Sequence, residues 1–168
     1  MTNLRIRFAA EQDVSLVLAF IRKLAEYEKL SHDVVVDEQS LRASLFGATP
    51  AAEVLLAFIG DEPAGFAVYF RNFSTFLGQP GIYLEDLFVE PGLRGKGIGT
   101  ALLVHLAKVC VERGYGRLNW AVLDWNQTAI DFYKRMGAVL LDQWTICRVS
   151  GHALKRLAER NVISSVTL

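Results

Sequence analysis

The chain has little of several things, and each shortage excludes a class of protein. It has no excess of either charge: Lys plus Arg and Asp plus Glu each number 18. No global field gathers a polyanion, so nucleic acid and anionic membranes are not expected partners and any ligand must be selected locally. Nowhere do about 18 apolar residues run uninterrupted, the length a membrane-crossing helix needs. The opening MTNLRIRFAAEQD interrupts its apolar residues with Arg5, Arg7, Glu11 and Asp13 and does not read as a targeting segment. A soluble cytoplasmic protein is expected. There are only two cysteines, Cys110 and Cys147. Both sit in apolar periodic stretches without CxxC spacing, which predicts buried free thiols. His32, His105 and His152 are far apart and pair with no nearby ligand residue, so no metal site is expected. Linkers, internal repeats and low-complexity tracts are absent.

What is present is apolar bulk. In a chain of 168 residues, 52% are hydrophobic, enough for a core without disulfides or metal. One domain over 1–168 is expected, ordered to about 160, with 161–168 a fraying tail. The periodicity alternates between helix and strand. Arg5 to Phe8 reads as a short strand. Val14, Val17, Leu18, Ile21, Leu24 and Ala25 mark a helix face running to about Glu28, with Glu11 or Asp13 near its start. Leu41 and Leu45 suggest a shorter helix ending at Gly47. Val54 to Ile59 and Ala64 to Phe70 are strands joined by a hairpin-like turn, followed by a loop from Arg71 to Gly81. Ile82 to Val89, a glycine-rich turn, a helix ending near Gly114 and the strand Leu118 to Leu123 make a βαβ unit with parallel strands. Asn126 can cap a helix stopped by Gly137. Ala138 to Leu141 and Trp144 to Val149 read as closing strands, and Ala153 to Arg160 as a terminal helix. The class is α/β, a mixed and mainly antiparallel sheet with one parallel βαβ unit and flanking helices.

Leu93 to Thr100, LRGKGIGT, joins that central strand to its helix. Gly95, Gly97 and Gly99 remove side chains where the chain turns, so backbone N–H groups can converge on an oxyanion near the helix's positive end. A dinucleotide fingerprint would need glycine where Leu102 stands, and a Walker loop would need Ser or Thr where Gly97 follows Lys96. What remains is Arg-x-x-Gly-x-Gly.

Just upstream, Glu85 and Asp86 interrupt an apolar run. Uncompensated buried carboxylates would cost several kcal/mol each, so either a binding role or local Arg and N–H partners must justify them. In a regular strand the two side chains point to opposite faces; a bulge would let both address one cleft.

The Arg-x-x-Gly-x-Gly spelling resembles the acetyl-CoA pyrophosphate loop of the GCN5-related N-acetyltransferases (GNAT). IRKLAEYEKL, YLEDLFVEPGLRGKGIG and AVLDWNQTAIDFYKRMGA, in that order, resemble the spermidine/spermine acetyltransferase branch and its thialysine acetyltransferase members. The resemblance implies the GNAT fold over nearly the whole chain and an N-acetyltransferase that uses acetyl-CoA as cosubstrate and no metal. The acceptor implied is a small primary amine: a lysine analogue such as thialysine, or a diamine or polyamine. Such an ammonium is free amine about once in several thousand molecules at pH 7, a penalty of roughly 4 to 5 kcal/mol. A carboxylate answers this by attracting the cation and taking its proton.

Glu85 is the candidate base and Asp86 the substrate anchor, in roles that could exchange. Tyr133 matches the tyrosine proposed as general acid for the departing CoA thiolate, although its spacing from Ile130 also suits a packing face. Tyr27 and Glu28 match an acceptor-pocket segment, and Trp144 is a further candidate there or a core residue. For the cofactor, the backbone of Leu87, Phe88 and Val89 is expected to pair with the pantetheine arm. Arg94, Gly95, Lys96, Gly97, Ile98, Gly99 and Thr100 are expected to cradle the diphosphate, with Asn126, Tyr133 and Lys134 beside them. Ser74 stands where polyamine-type relatives tend to carry aspartate, which favours a lysine-like acceptor. A homodimer is implied, with Phe73 and Phe76 suited to a two-fold interface. A protein or peptide acetyltransferase and a non-catalytic acyl-CoA-binding module are the alternatives.

Overall fold

The computed structural model describes residues 3–160. They form two compact units, the first ending at Gln127 and the second beginning at Thr128. The first unit holds a five-stranded sheet in the order β1-β2-β3-β4-β5. Its strands are β1 (Leu4–Phe8), β2 (Glu53–Ile59), β3 (Glu62–Ser74), β4 (Gln79–Val89) and β5 (Leu118–Trp120). Neighbours are antiparallel except β4 and β5, which run parallel, as a βαβ unit requires. The class expected from the sequence is the class observed.

Helix α1 (Val14–Tyr27) follows β1 through a single 3-10 turn. Asp13 fixes that entry: it accepts a two-pronged contact from the Arg7 guanidinium (2.6 and 2.8 Å) and the Ala10 N–H (2.7 Å). Only 9% exposed, it is a buried charge made tolerable by pairing. The apolar stripe of α1 lies on one face of the sheet, where Val14, Val17 and Phe20 meet Val54, Leu56, Phe66, Val68 and Phe88. The Phe20 and Phe66 rings stack at 5.3 Å. Helix α2 (Glu38–Phe46) adds Leu41 and Leu45 to this layer and ends at Gly47. The alternate strand residues Leu55, Ala57 and Ala67 are buried on the opposite face, which α3 (Ile98–Glu112) covers with Ile98, Leu102 and Leu106. Arg113, just past α3, clamps Glu53 of β2 through both guanidinium nitrogens at 2.6 and 2.9 Å.

Helix α4 (Gln127–Arg135) leads into the second unit, where the remaining regular element among the described residues is α5 (Gly151–Ala158), two residues earlier than the terminal helix expected over Ala153 to Arg160. Four expectations are corrected. The stretch Arg71 to Gly81 is a tight hairpin rather than a loop: Arg71 pairs with Ile82, Asn72 with Gly81, Phe73 with Pro80 and Ser74 with Gln79. Polar residues disguise this part of the strand, because the ladder is made by backbone groups that any non-proline residue supplies. Its turn uses a left-handed Gly78 and a Ser74 hydroxyl that accepts the Leu77 N–H at 3.2 Å.

The closing strands proposed over 138–141 and 144–149 do not form. Among the described residues that segment is irregular, with Val139, Leu141, Trp144 and Ile146 exposed. Strand propensity describes side chains suited to a packed sheet and supplies no neighbouring backbone to pair with. Strand β5 stops at Trp120 instead of Leu123, so that its last pair is with Leu84, beside the bulged residue of β4. Cys110 is buried as expected, whereas Cys147, in the irregular segment, is exposed.

Candidate active site

The site is built around a fault in β4. Val68 of β3 pairs with Asp86 and the next residue, Tyr69, pairs with Leu84, so Glu85 has no partner across the ladder. One extra residue is a β-bulge, and it inverts the strand's alternation. Before the bulge, the Ile82 N–H points toward β5 and donates to the Arg117 carbonyl (2.9 Å). After it, the Glu90 N–H points the other way and donates to the Ala64 carbonyl beside β3 (3.0 Å). By alternation the backbone groups of Leu87 and Val89 face away from β3. Strand β5 has ended by then, because its last residue, Trp120, pairs with Leu84. The far end of β4 therefore offers an edge that no strand covers, suited to an extended, amide-bearing ligand. Phe88 contributes differently: its ring is in the core and its backbone faces β3.

The same inversion places Asp86 on the Val68 side, the face that α1 covers. Glu28, at the C-terminal end of α1, acts on it there. Burial first, then the charges of Glu85 and Glu28, raise the Asp86 carboxyl to about 6. Burial also pushes Glu28 up, while Glu85 is exposed. Two carboxyls acting on a buried third is an arrangement that suits a cation.

After β4 the chain takes one 3-10 turn (Pro91–Leu93) and reaches the glycine loop. Gly95 and Gly97 adopt φ of 76° and 83°, where a side chain would be strained. The space beyond their Cα atoms is open, since a Cβ at either would meet no protein atom within 4 Å. Gly97 caps α3, and the first helical bond runs from the Ala101 N–H to its carbonyl (2.9 Å). The N–H groups of Ile98, Gly99 and Thr100 are thus left at the positive end of a 15-residue helix. Ile98 anchors the loop in the core at 1% exposure, whereas Arg94, Lys96 and the loop glycines before it are exposed. This is anion-binding geometry.

An aromatic pair borders the loop. The Tyr27 ring carries the Arg94 guanidinium at 4.4 Å, and the Tyr27 hydroxyl donates to Asn126 Oδ1 at 3.3 Å. Trp125 lies against Tyr27 with centroids 6.1 Å apart and carries Lys29 Nζ on its own ring at 5.8 Å. An ion pair between Lys23 and Glu90 ties α1 to the end of β4. Trp125 and Lys29 were not anticipated. Trp125, next to Asn126, could have been found as an unassigned aromatic, but the left-handed Lys29 (φ 63°) has no sequence signature. Ser74, read as bearing on acceptor choice, is 4% exposed and occupied by its own turn.

Tyr27, Glu28, Glu85, Asp86, Arg94 and Asn126 therefore meet in the first unit. Tyr133, Lys134 and Trp144 belong to the second. Tyr133 is on the buried face of α4 with its ring 5.3 Å from Phe132, Lys134 is exposed, and Trp144 is 74% exposed rather than a core residue. Among the described residues no group of His, Cys, Asp and Glu is arranged to hold a metal ion.

Residues 21–138 fit the model of the acetyltransferase (GNAT) family. The chain belongs to the GNAT family. The acetyltransferase is 41% identical to thialysine N-epsilon-acetyltransferase of Bos taurus, over 94% of this chain and 99% of the bovine protein. It is 32% identical to an L-ornithine N5-acetyltransferase of Arabidopsis thaliana, over 94% and 89% respectively. In three dimensions it superposes on an integron cassette protein from the mobile metagenome of V. cholerae with a TM-score of 0.79 and 32% identity, covering 95% and 99% of the two chains. The acetyltransferase thus gathers an acid cluster, a strand edge that no strand covers and a glycine turn at a helix N-terminus around the far end of β4, with Glu28 brought in from α1. No helix among its described residues is long and apolar enough to cross a membrane.

Proposed function

We propose that the protein transfers an acetyl group from acetyl-CoA to the primary amine of a small, lysine-like acceptor. The observation that carries this reading is the bulge at Glu85, which turns a carboxyl toward α1 and, in the same step, frees the edge of β4 that leads to the glycine loop.

Acetyl-CoA supplies an activated thioester, an amide-bearing arm and a diphosphate. Leu87 and Val89 present backbone groups to the arm. Gly95 to Thr100 present N–H groups to the diphosphate, with Arg94 and Lys96 adding charge. The acid cluster draws in an ammonium, and Asp86 takes its proton. A carboxyl near 6 is ionised at neutral pH yet a stronger base than an ordinary aspartate, which suits it to this task better than the exposed Glu85. Before that proton transfer Glu85 and Glu28 hold the cation, exchanging the roles first expected for Glu85 and Asp86. Tyr133 is the proton donor to the departing thiolate, an assignment supported by its position in the family motif. A two-fold dimer belongs to the same reading, supported by Phe73 and the 94% exposed Phe76 on the β3–β4 hairpin and tested by light scattering.

The relatives named for thialysine and ornithine favour an amino acid with a side-chain amine. The test is thiol release from acetyl-CoA with thialysine, lysine, ornithine, diamines, spermidine and a lysine-containing peptide. The fastest release is expected with the lysine-like amino acids. Preference for the peptide would move the reading to protein acetylation, and CoA binding without release to any amine would leave a binding module.

A further inference from the structure

We infer that Tyr27, which motif position assigns to the acceptor pocket, is a positioning residue for the diphosphate-binding arginine. The inference rests on the proposed role of the glycine loop.

Arg94 is the only side chain of the exposed loop segment 94–97 with a delocalised charge and five donors in a fixed fork. A free arginine surrenders side-chain entropy when it engages an anion, and one already held in place surrenders less. Here two close fixings act at once, beside a longer contact with the Phe88 ring at 5.8 Å. Its Nε donates to the Val89 carbonyl at 3.1 Å, and its guanidinium lies 4.4 Å from the Tyr27 ring centroid. The backbone carbonyl fixes the near end of the fork and the ring fixes its plane, which leaves the two terminal nitrogens for a bidentate anion.

Tyr27 is itself held at two points. Its hydroxyl bonds to Asn126 and its ring meets Trp125. The last residue of α1 therefore links the acid cluster, through the adjacent Glu28, to the diphosphate loop, through Arg94. Nothing in the local sequence signals this, because Tyr27 and Arg94 are brought together only by the packing of α1 beside the end of β4.

The experiment measures CoA affinity by calorimetry and KM for acetyl-CoA and amine separately, in Tyr27→Leu, Tyr27→Phe, Arg94→Gln and the Leu/Gln double variant. Tyr27→Leu removes a cation–π contact and is expected to weaken CoA binding about 3- to 20-fold while changing the amine KM less than about twofold. Tyr27→Phe keeps the ring and should stay within about threefold of the parent. In the Arg94→Gln background, Tyr27→Leu should have no further effect. Pantetheine, which lacks the diphosphate, should inhibit the parent and Tyr27→Leu equally. A raised amine KM with unchanged CoA affinity, or fully additive effects of the two substitutions, would overturn the inference and return Tyr27 to the acceptor pocket. Failure of the parent protein to bind CoA at all would instead remove the function on which the inference depends.

Discussion

Glu28 and Asp86 come from different layers of the fold, one at the end of α1 and the other beside a bulge in β4, and burial, then the charges of Glu85 and Glu28, raise the Asp86 carboxyl to about 6. Their meeting is what makes the acid cluster tunable, and it gives the most direct prediction. On the proposed mechanism, kcat/KM should rise through a limb near pH 6 as Asp86 ionises. Glu28→Gln removes a like charge, so the limb should move to lower pH, and Asp86→Asn should abolish it with a loss of about 100-fold or more. An unmoved limb in both variants would show that another group controls it.

The same shift bears on stability. The folded-state value of Asp86 lies above that of the unfolded chain, about 4. Folding therefore favours the protonated form, and stability is lost as pH rises from about 4 through about 6. Asp86→Asn is expected to melt with the parent near pH 4 and higher above pH 7, by about 1 to 3 kcal/mol. Thermal scans at several pH values check this, and a difference independent of pH would refute it.

Asp13 shows the opposite sign. The Arg7 hydrogen bonds, outweighing burial, hold its carboxyl below the usual range. Its contribution is present above about pH 4 and is lost as pH falls through the depressed folded-state value. Asp13→Ala strands the Ala10 N–H and leaves Arg7 unpaired, so it should cost about 1 to 3 kcal/mol at neutral pH. That loss should shrink in acid, as read by urea denaturation.

On the proposed mechanism, substitutions at Gly97 and Tyr133 should separate cofactor binding from chemistry. Gly97→Val forces a branched side chain into φ 83° and into the open space in front of α3. CoA affinity is expected to fall at least about tenfold, with a strain cost of about 1 to 3 kcal/mol. Tyr133→Phe should instead lower kcat by about 100-fold or more with CoA affinity nearly unchanged. Normal CoA binding by the valine variant would remove the loop from the site, and a normal rate in the phenylalanine variant would remove Tyr133 from the mechanism.

The chain announces much of this in its own order. The stripe of α1, the βαβ unit and the glycine turn are written in spacings that act over a few residues, which is why Val14, Ile98 and Gly97 stand where the periodicity puts them. The acid pair was visible as two charges in an apolar run, and the bulge was one of two ways to accommodate them. Other features were not legible. The β3–β4 hairpin was hidden by polar residues, and the strands expected after Gly137 had the composition of strands without a partner.

The sequence by itself determined the alternation of elements, the family, the glycine turn and the presence of an acid pair, because each depends on residue types at short fixed separations. Tertiary structure decided which side of β4 is open, which carboxyl is shielded and that Tyr27 meets Arg94. These depend on pairing and burial between segments far apart in the chain, and one unmatched residue at Glu85 was enough to reverse every direction beyond it.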